Sequence, residues 1–229
     1  MRCNLVLLLI CELQVFSNTA AAQKDSVAQP AAGRSSLRAW VVPVGLAASV
    51  ALDPEVREWS LREHTNSLDR LAKSVNPLGT ADHLVPAMAV AYIAALLTHH
   101  ESLAVGTLNT AAAYMASDLA ESALKPVVGR ERPHVEGNSH RFHPFTANGD
   151  WHSFPSAHVA HIASIAEAIS MQTHSTPVSA LCSGVVALVA WERVYDDQHW
   201  SSDVVATAVL TSAISKATVS WLESRFERH

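Results

Sequence analysis

Residues 151 to 158 read Trp-His-Ser-Phe-Pro-Ser-Ala-His, and apolar residues at helical spacing follow at once in Val159, Ile162, Ile165 and Ile169. A helix therefore starts near Pro155, with Ser156 as its N-cap. The unpaired N–H groups and positive end of such a helix form a ready anion site, with His158 at its rim. Two further blocks carry reactive side chains: Lys125 with Arg132-Pro133 upstream, and Arg193, His199 and Asp203 downstream. Hydrolysis of a phosphoester needs a nucleophile, neutralisation of charge on three equatorial oxygens, and a proton for the leaving group. The three blocks contain those parts.

His199 and Asp203 are spaced i, i+4, so a helix beginning near His199 puts both on one face. A carboxylate accepting one imidazole N–H fixes the tautomer and frees the other nitrogen for attack. The bland alternative is a buried histidine capping a helix. Lys125, Arg132 and Arg193 are the candidate phosphate clamp, since arginine's planar fork suits paired oxygens and lysine acts as a point charge. Three converging cations repel one another and call for an anion among them. Otherwise each pairs with a carboxylate close in sequence: Glu121, Glu131, Glu192, Asp196 or Asp197. That second reading is the expected one for Arg130.

The order K-x6-R-P, P-S-x-H, R-x5-H-x3-D resembles the type 2 phosphatidic acid phosphatase and vanadium haloperoxidase superfamily. The likeness runs from Lys125 to Asp203, about a third of the chain. It implies catalytic roles for His199, His158 and Asp203, with a phosphohistidine at His199 and His158 as proton donor to the leaving oxygen. It further implies phosphate binding by Lys125, Arg132, Ser156, Ala157 and Arg193, with no metal and no cofactor. Two positions depart from the pattern: Ala157 stands where Gly is usual, and Glu192 where Ser usually precedes the arginine. Ala157 keeps the backbone N–H that touches phosphate in the family, and loses nothing if it already lies in the first helical turn. The same cradle holding vanadate on His199 would oxidise halides, and a catalytically impaired phosphate- or lipid-binding module is the third reading.

The chain has 229 residues, 49% hydrophobic and 16% charged, and a net charge of −5, which suits one domain and gives no sign of a nucleic-acid partner. Basic residues nevertheless gather at Lys125, Arg130, Arg132 and Arg141. Met1 to Ala22 reads as an export signal, with Arg2, an apolar stretch from Leu5 to Cys11 and small residues to Ala22, although Glu12 makes an amphipathic first helix the alternative. Removal of the signal takes Cys3 and Cys11 with it and leaves Cys182, a small buried hydrophobe, so no disulfide framework forms. His140, His143, His152 and His161 have spacings too weak for a metal site without carboxylate or cysteine partners.

Beyond a flexible lead-in over residues 23–36, the pattern predicts an all-α, single-domain bundle of about six helices over residues 37–229, with the active site at one end. A short or kinked helix covers Leu37 to Leu52, Asp53-Pro54 opens another that runs to about Lys73, and Asn76 to Thr80 is a turn. Helices follow over 84–97 and 103–125, the latter stopped by Pro126, then a long polar loop from Val127 to Phe154, then helices over 156–171, 177–195 and 201–226. Uninterrupted apolar runs fall short of the about 20 residues that a membrane span needs. An exported, periplasmic protein, soluble or peripherally associated with the membrane, is therefore expected, the alternative being an integral inner-membrane protein with a periplasm-facing site. The substrate is a phosphorylated lipid or small molecule; lipid phosphates, isoprenyl diphosphates and soluble monoesters present the same head group.

Overall fold

The structure, a computed structural model, describes residues 32–226, with side chains described from 42 to 225. Eight helices follow one another among these residues: α1 Ala32–Arg62, α2 Asn66–Val75, α3 Ala81–Leu97, α4 Glu101–Val128, α5 Pro133–Glu136, α6 Ala157–Thr173, α7 Thr176–Tyr195 and α8 Ser201–Phe226. Two 3₁₀ turns, Asn76–Gly79 and Gly149–Trp151, complete the set. No strand forms in the described part; a single isolated bridge joins Arg130 to Phe142. The fold is all-α, as expected. The export segment, residues 1–22, and the first part of the lead-in lie outside the described residues.

The prolines are accommodated where the sequence pattern predicted breaks. α1 runs unbroken through Pro43 and Pro54, so the boundary expected between Leu52 and Asp53 is absent and the second half of that region re-forms as the separate helix α2. Thr65 caps α2, its side chain accepting from the Leu68 N–H. Similarly α4 passes Pro126 and ends two residues later at Val128; its C-cap, Gly129, takes the left-handed conformation (φ 59°) and returns its N–H to the Lys125 carbonyl. A side chain there is doubly excluded, since a Cβ would sit 2.0 Å from the His143 carbonyl oxygen.

α6 is the central helix, packed against α4, α7 and α8. Its small residues Ala160, Ala163, Ser164, Ala166 and Ala168 are buried on nearly every side. They let neighbouring backbones approach closely, and Val159 and Ile162 interlock with Val186, Val189 and Ala190 of α7 and with Val204, Val205 and Ala208 of α8. By contrast, the outer faces of α3 and α4 are apolar and exposed: Val90 is 66% accessible, Leu97 76%, Met115 68% and Leu119 72%. Thr176–Tyr195 and Ser201–Arg225 are long and apolar enough to cross a membrane, and α2 with its 3₁₀ turn plus α3, bent by 52°, could make a third span. The sequence-based lengths came out shorter because Ser, Thr and Gly interrupt the apolar runs without interrupting the helices.

One buried ionic cluster ties the ends of these helices together. Arg130, just beyond α4, donates to Asp53 Oδ2 of α1 at 2.7 Å and to Asp203 Oδ1 of α8 at 2.6 Å. Asp53, fully buried, also accepts from the Ser202 N–H (2.8 Å), Ser202 Oγ (2.6 Å) and Ser201 Oγ (2.7 Å). Its carboxylate thus caps the start of α8 from a different helix, where the helix dipole favours a negative charge. Breaking a buried ion pair by removing one partner strands the other charge. Asp53→Ala should therefore destabilise the protein by about 3–5 kcal/mol, read as a lowered unfolding midpoint of the purified chain. An unchanged midpoint would show that the cluster does not hold the fold.

Candidate active site

The long segment between α4 and α6 is folded back on itself by backbone bonds rather than left free. His143 N–H reaches the Gly129 carbonyl (2.7 Å), Arg132 N–H the Asp150 carbonyl (2.8 Å) and Ser153 N–H the Arg130 carbonyl (2.9 Å). Trp200, buried at the start of α8, adds its indole N–H to the Glu131 carbonyl at 2.9 Å. On the other side of the site, Arg57 of α1 grips Asp197 through Nε and Nη2, at 2.7 and 2.8 Å, and so pins the turn that leads into His199. Asp197 takes a positive φ of 54° in that turn.

Within this frame His199 is buried, and its Nδ1 lies 2.5 Å from the Ser153 carbonyl oxygen. A carbonyl only accepts, so Nδ1 carries the proton and Nε2 keeps its lone pair. The spacing argument had assigned this orienting contact to Asp203. Its Oδ2 instead stands 4.0 Å from Nδ1, beyond hydrogen-bond range. Asp203 accepts from Ser153 Oγ at 2.6 Å and from the Trp200 N–H at 3.0 Å, besides Arg130. The aspartate therefore steers the histidine through Ser153, a residue that the sequence reading did not single out. Asp53 was likewise read only as a helix start.

The three clamp cations have different partners. Arg132 donates to the carbonyls of Gly149 (3.1 Å) and Gln198 (3.2 Å) and to Gln198 Oε1 (3.2 Å), without a carboxylate. Lys125, however, pairs with Glu121 one turn earlier, and Arg193 with its neighbour Glu192. The sequence reading had kept both for an anion alone, so for these two the local carboxylate pairing is present. Arg130 does pair with carboxylates, but with Asp53 and Asp203 rather than with those close in sequence. Arg141 pairs with Glu131 and Glu136, outside the cradle.

Lys125, Arg132 and Arg193 nevertheless converge electrostatically. Burial first, and then the charges of Arg132 and Arg193, hold His199 well below the usual imidazole range, and the bond to Ser153 does not offset them. His158 is pushed down to about 3, by burial first and then by Arg193, His161, Lys125 and Arg132. Arg132 itself is lowered by burial and by Arg193. His158 packs against Gly79, where a Cβ would meet the His158 Cβ at 2.7 Å, and its Nε2 is buried without a hydrogen-bond partner.

Ser156 occupies the N-cap of α6 as expected, yet its side chain caps nothing; its N–H donates to Thr207 Oγ1 at 3.0 Å, and its buried Oγ is unpartnered. Ala157 is the first residue of α6 and is absent from the positive-φ positions, so a Cβ costs no strain there. Among the other histidines, His161 is tied to the Gly79 carbonyl (2.9 Å) and Asp118 (2.8 Å), His152 to the Thr146 carbonyl (2.9 Å), and His143 packs beside Trp151. Among the described residues no three His, Cys, Asp or Glu side chains are grouped as a metal site requires.

Fold and site together define the class: an all-α bundle with a cationic cradle around two neutral histidines. The model of the PAP2 superfamily matches residues 106–227, and the chain belongs to that superfamily. Among solved structures it is similar to the transmembrane PAP2-type phosphatidylglycerolphosphate phosphatase of Bacillus subtilis, at 17% identity and a TM-score of 0.62 over 80% of this chain and 94% of that one. It is also similar to LpxE of Aquifex aeolicus, at 20% identity and a TM-score of 0.59 over 74% and 95%. No curated protein sequence matches the chain significantly.

The histidine environment has a measurable consequence. With its pKa lowered in the fold, His158 should remain neutral from pH 7 down to about 3. The unfolded chain takes up that proton near pH 6.5, so the His158 contribution to stability is lost as pH falls from about 6.5 towards 3. Ring-nitrogen NMR of the phosphate-free protein at pH 5 should show a neutral His158; an imidazolium there contradicts the arrangement.

Proposed function

We propose that the protein is a membrane-embedded phosphatase that hydrolyses a phosphomonoester or a lipid (di)phosphate through a phosphohistidine on His199, without a metal. The observation that carries this reading is the state of His199: neutral, its Nδ1–H committed to the Ser153 carbonyl, its Nε2 unprotonated among Lys125, Arg132 and Arg193. Such a nitrogen is a competent nucleophile, and the cations supply charge neutralisation for the transferring phosphoryl oxygens. The reaction runs in two displacements. Nε2 attacks phosphorus, the ester P–O bond breaks, and the leaving oxygen takes a proton; water then attacks the phosphohistidine, releasing orthophosphate and restoring the imidazole.

His158 is the proton donor in this scheme. It is neutral in this fold, so the proton arrives with the substrate: a phosphate monoanion offsets the neighbouring cations and hands its proton to His158 Nε2, from which it passes to the leaving oxygen. Asp203, reaching His199 through Ser153, holds the ring in place. Ser156 and the Ala157 N–H at the start of α6, with Lys125, Arg132 and Arg193, bind the phosphate oxygens. A lipid substrate is supported by the apolar outer faces of α3 and α4 and by the similarity to the phosphatidylglycerolphosphate phosphatase of Bacillus subtilis. The site then faces the periplasm if Met1 to Ala22 directs export.

Three experiments test the reading. Purified protein should hydrolyse p-nitrophenyl phosphate equally well with and without chelator, and His199→Ala should show no turnover. His158→Ala should slow poor alkyl leaving groups by about 10²-fold or more while costing p-nitrophenol far less; equal losses on both refute the acid role. For the membrane assignment, the chain should stay in the pellet after a carbonate wash, and release into the supernatant would overturn it.

A further inference from the structure

Two of the three clamp cations are already neutralised from within the fold. Glu192 faces Arg193 with both carboxylate oxygens, one on Nε and one on Nη2, and is 0% exposed. Its Oε1 also accepts from Asn76 Nδ2 at 3.1 Å, which fixes the carboxylate between α7 and the 3₁₀ turn after α2. Glu121, 4% exposed, stands in the same relation to Lys125. Arg132 donates its hydrogen bonds to neutral oxygens, with no carboxylate in direct contact. Position 192 is one where the motif usually carries Ser, so a buried acid beside the phosphate-facing arginine is a property of this chain.

We infer that Glu192, with Glu121 beside Lys125, is a built-in counter-charge that lowers the affinity of the cradle for inorganic phosphate and so favours release of the product. This rests on the phosphatase reading above. A carboxylate fixed against the clamp in a buried site is poorly screened and repels an incoming phosphate dianion, while the fork of Arg193 stays aimed because two of its donors are held. A serine in its place would leave Arg193 only the more distant and more exposed Asp196, at 3.6 Å, and so more of its charge to the anion. The cradle would then bind both substrate and orthophosphate more tightly, and uniform tightening of that kind does not speed chemistry.

The test separates charge from shape. Glu192→Gln keeps the side-chain outline and an oxygen for Arg193 and Asn76 but removes the negative charge; Glu192→Ser removes both. Inhibition constants for orthophosphate and for vanadate are measured on the purified full chain with p-nitrophenyl phosphate as substrate. In Glu192→Gln both should fall about tenfold, with a lower KM and a lower kcat as product leaves more slowly. Constants that are unchanged or raised in Glu192→Gln overturn the inference and leave Glu192 as a residue that merely aims Arg193. Should that variant not fold, Glu121→Gln is read in the same way, since it removes the equivalent charge from Lys125. A wild-type chain with no turnover and no vanadate binding refutes the phosphatase reading itself; an active wild type with unmoved constants in the variants refutes only the counter-charge.

Discussion

A single buried guanidinium is the constraint on which the site depends. Arg130 leaves the end of α4, and its donors are consumed by Asp53 of α1, by Asp203 and Ser202 of α8, and by the Ser139 carbonyl of the long loop. Removing a charge from water is costly unless good geometry and further hydrogen bonds compensate it, so this cluster tolerates few arrangements. Those few fix where α8 begins, which way Asp203 points, and how the loop carrying Arg132 and Ser153 lies across them. The position of His199 follows from those three placements and from the grip of Arg57 on the turn before it.

The electrostatics of the site follow from the same burial. Two imidazoles among three cations, shielded from water, are held neutral; one has a free nitrogen because its other nitrogen donates to a carbonyl. Neutral histidines and paired cations limit the charge gathered in the cradle, since Glu121 and Glu192 relieve repulsion that Lys125, Arg132 and Arg193 would otherwise suffer. Of the two readings the sequence left for these cations, carboxylate pairing is present at Lys125 and Arg193, and all three cations still act together on His158 and His199.

Much of this was legible from residue order. Helical periodicity located α3, α6, α7 and α8 to within a few residues, and the motif order singled out Lys125, Arg132, Ser156, His158, Arg193, His199 and Asp203, among which Lys125, Arg132 and Arg193 act together on His158 and His199. The failures share a cause. Asp53 beside Pro54 carries the local signature of a helix start, yet its partners lie about 77 and 149 residues away and leave no periodic trace. Pro43, Pro54 and Pro126 are breakers by local rules, but tertiary packing keeps their helices intact. Ser153 acts through its backbone carbonyl, which no side-chain motif encodes. The i, i+4 relation of His199 and Asp203 put both on one face, and the intervening 4.0 Å is a matter of side-chain placement that spacing does not resolve.

The contact between Gly79 and His158 joins two regions that otherwise look independent. Gly79 closes the 3₁₀ turn at which α2 and α3 meet at 52°, and its bare Cα lies against the imidazole with no room for a methyl group. The carbonyl of Gly79 itself is fastened to His161 on the same helix as His158. The angle between the two limbs and the seat of the ring are accordingly one mechanical degree of freedom: α3, whose apolar side faces outward, cannot swing on this joint without pushing directly on the His158 imidazole.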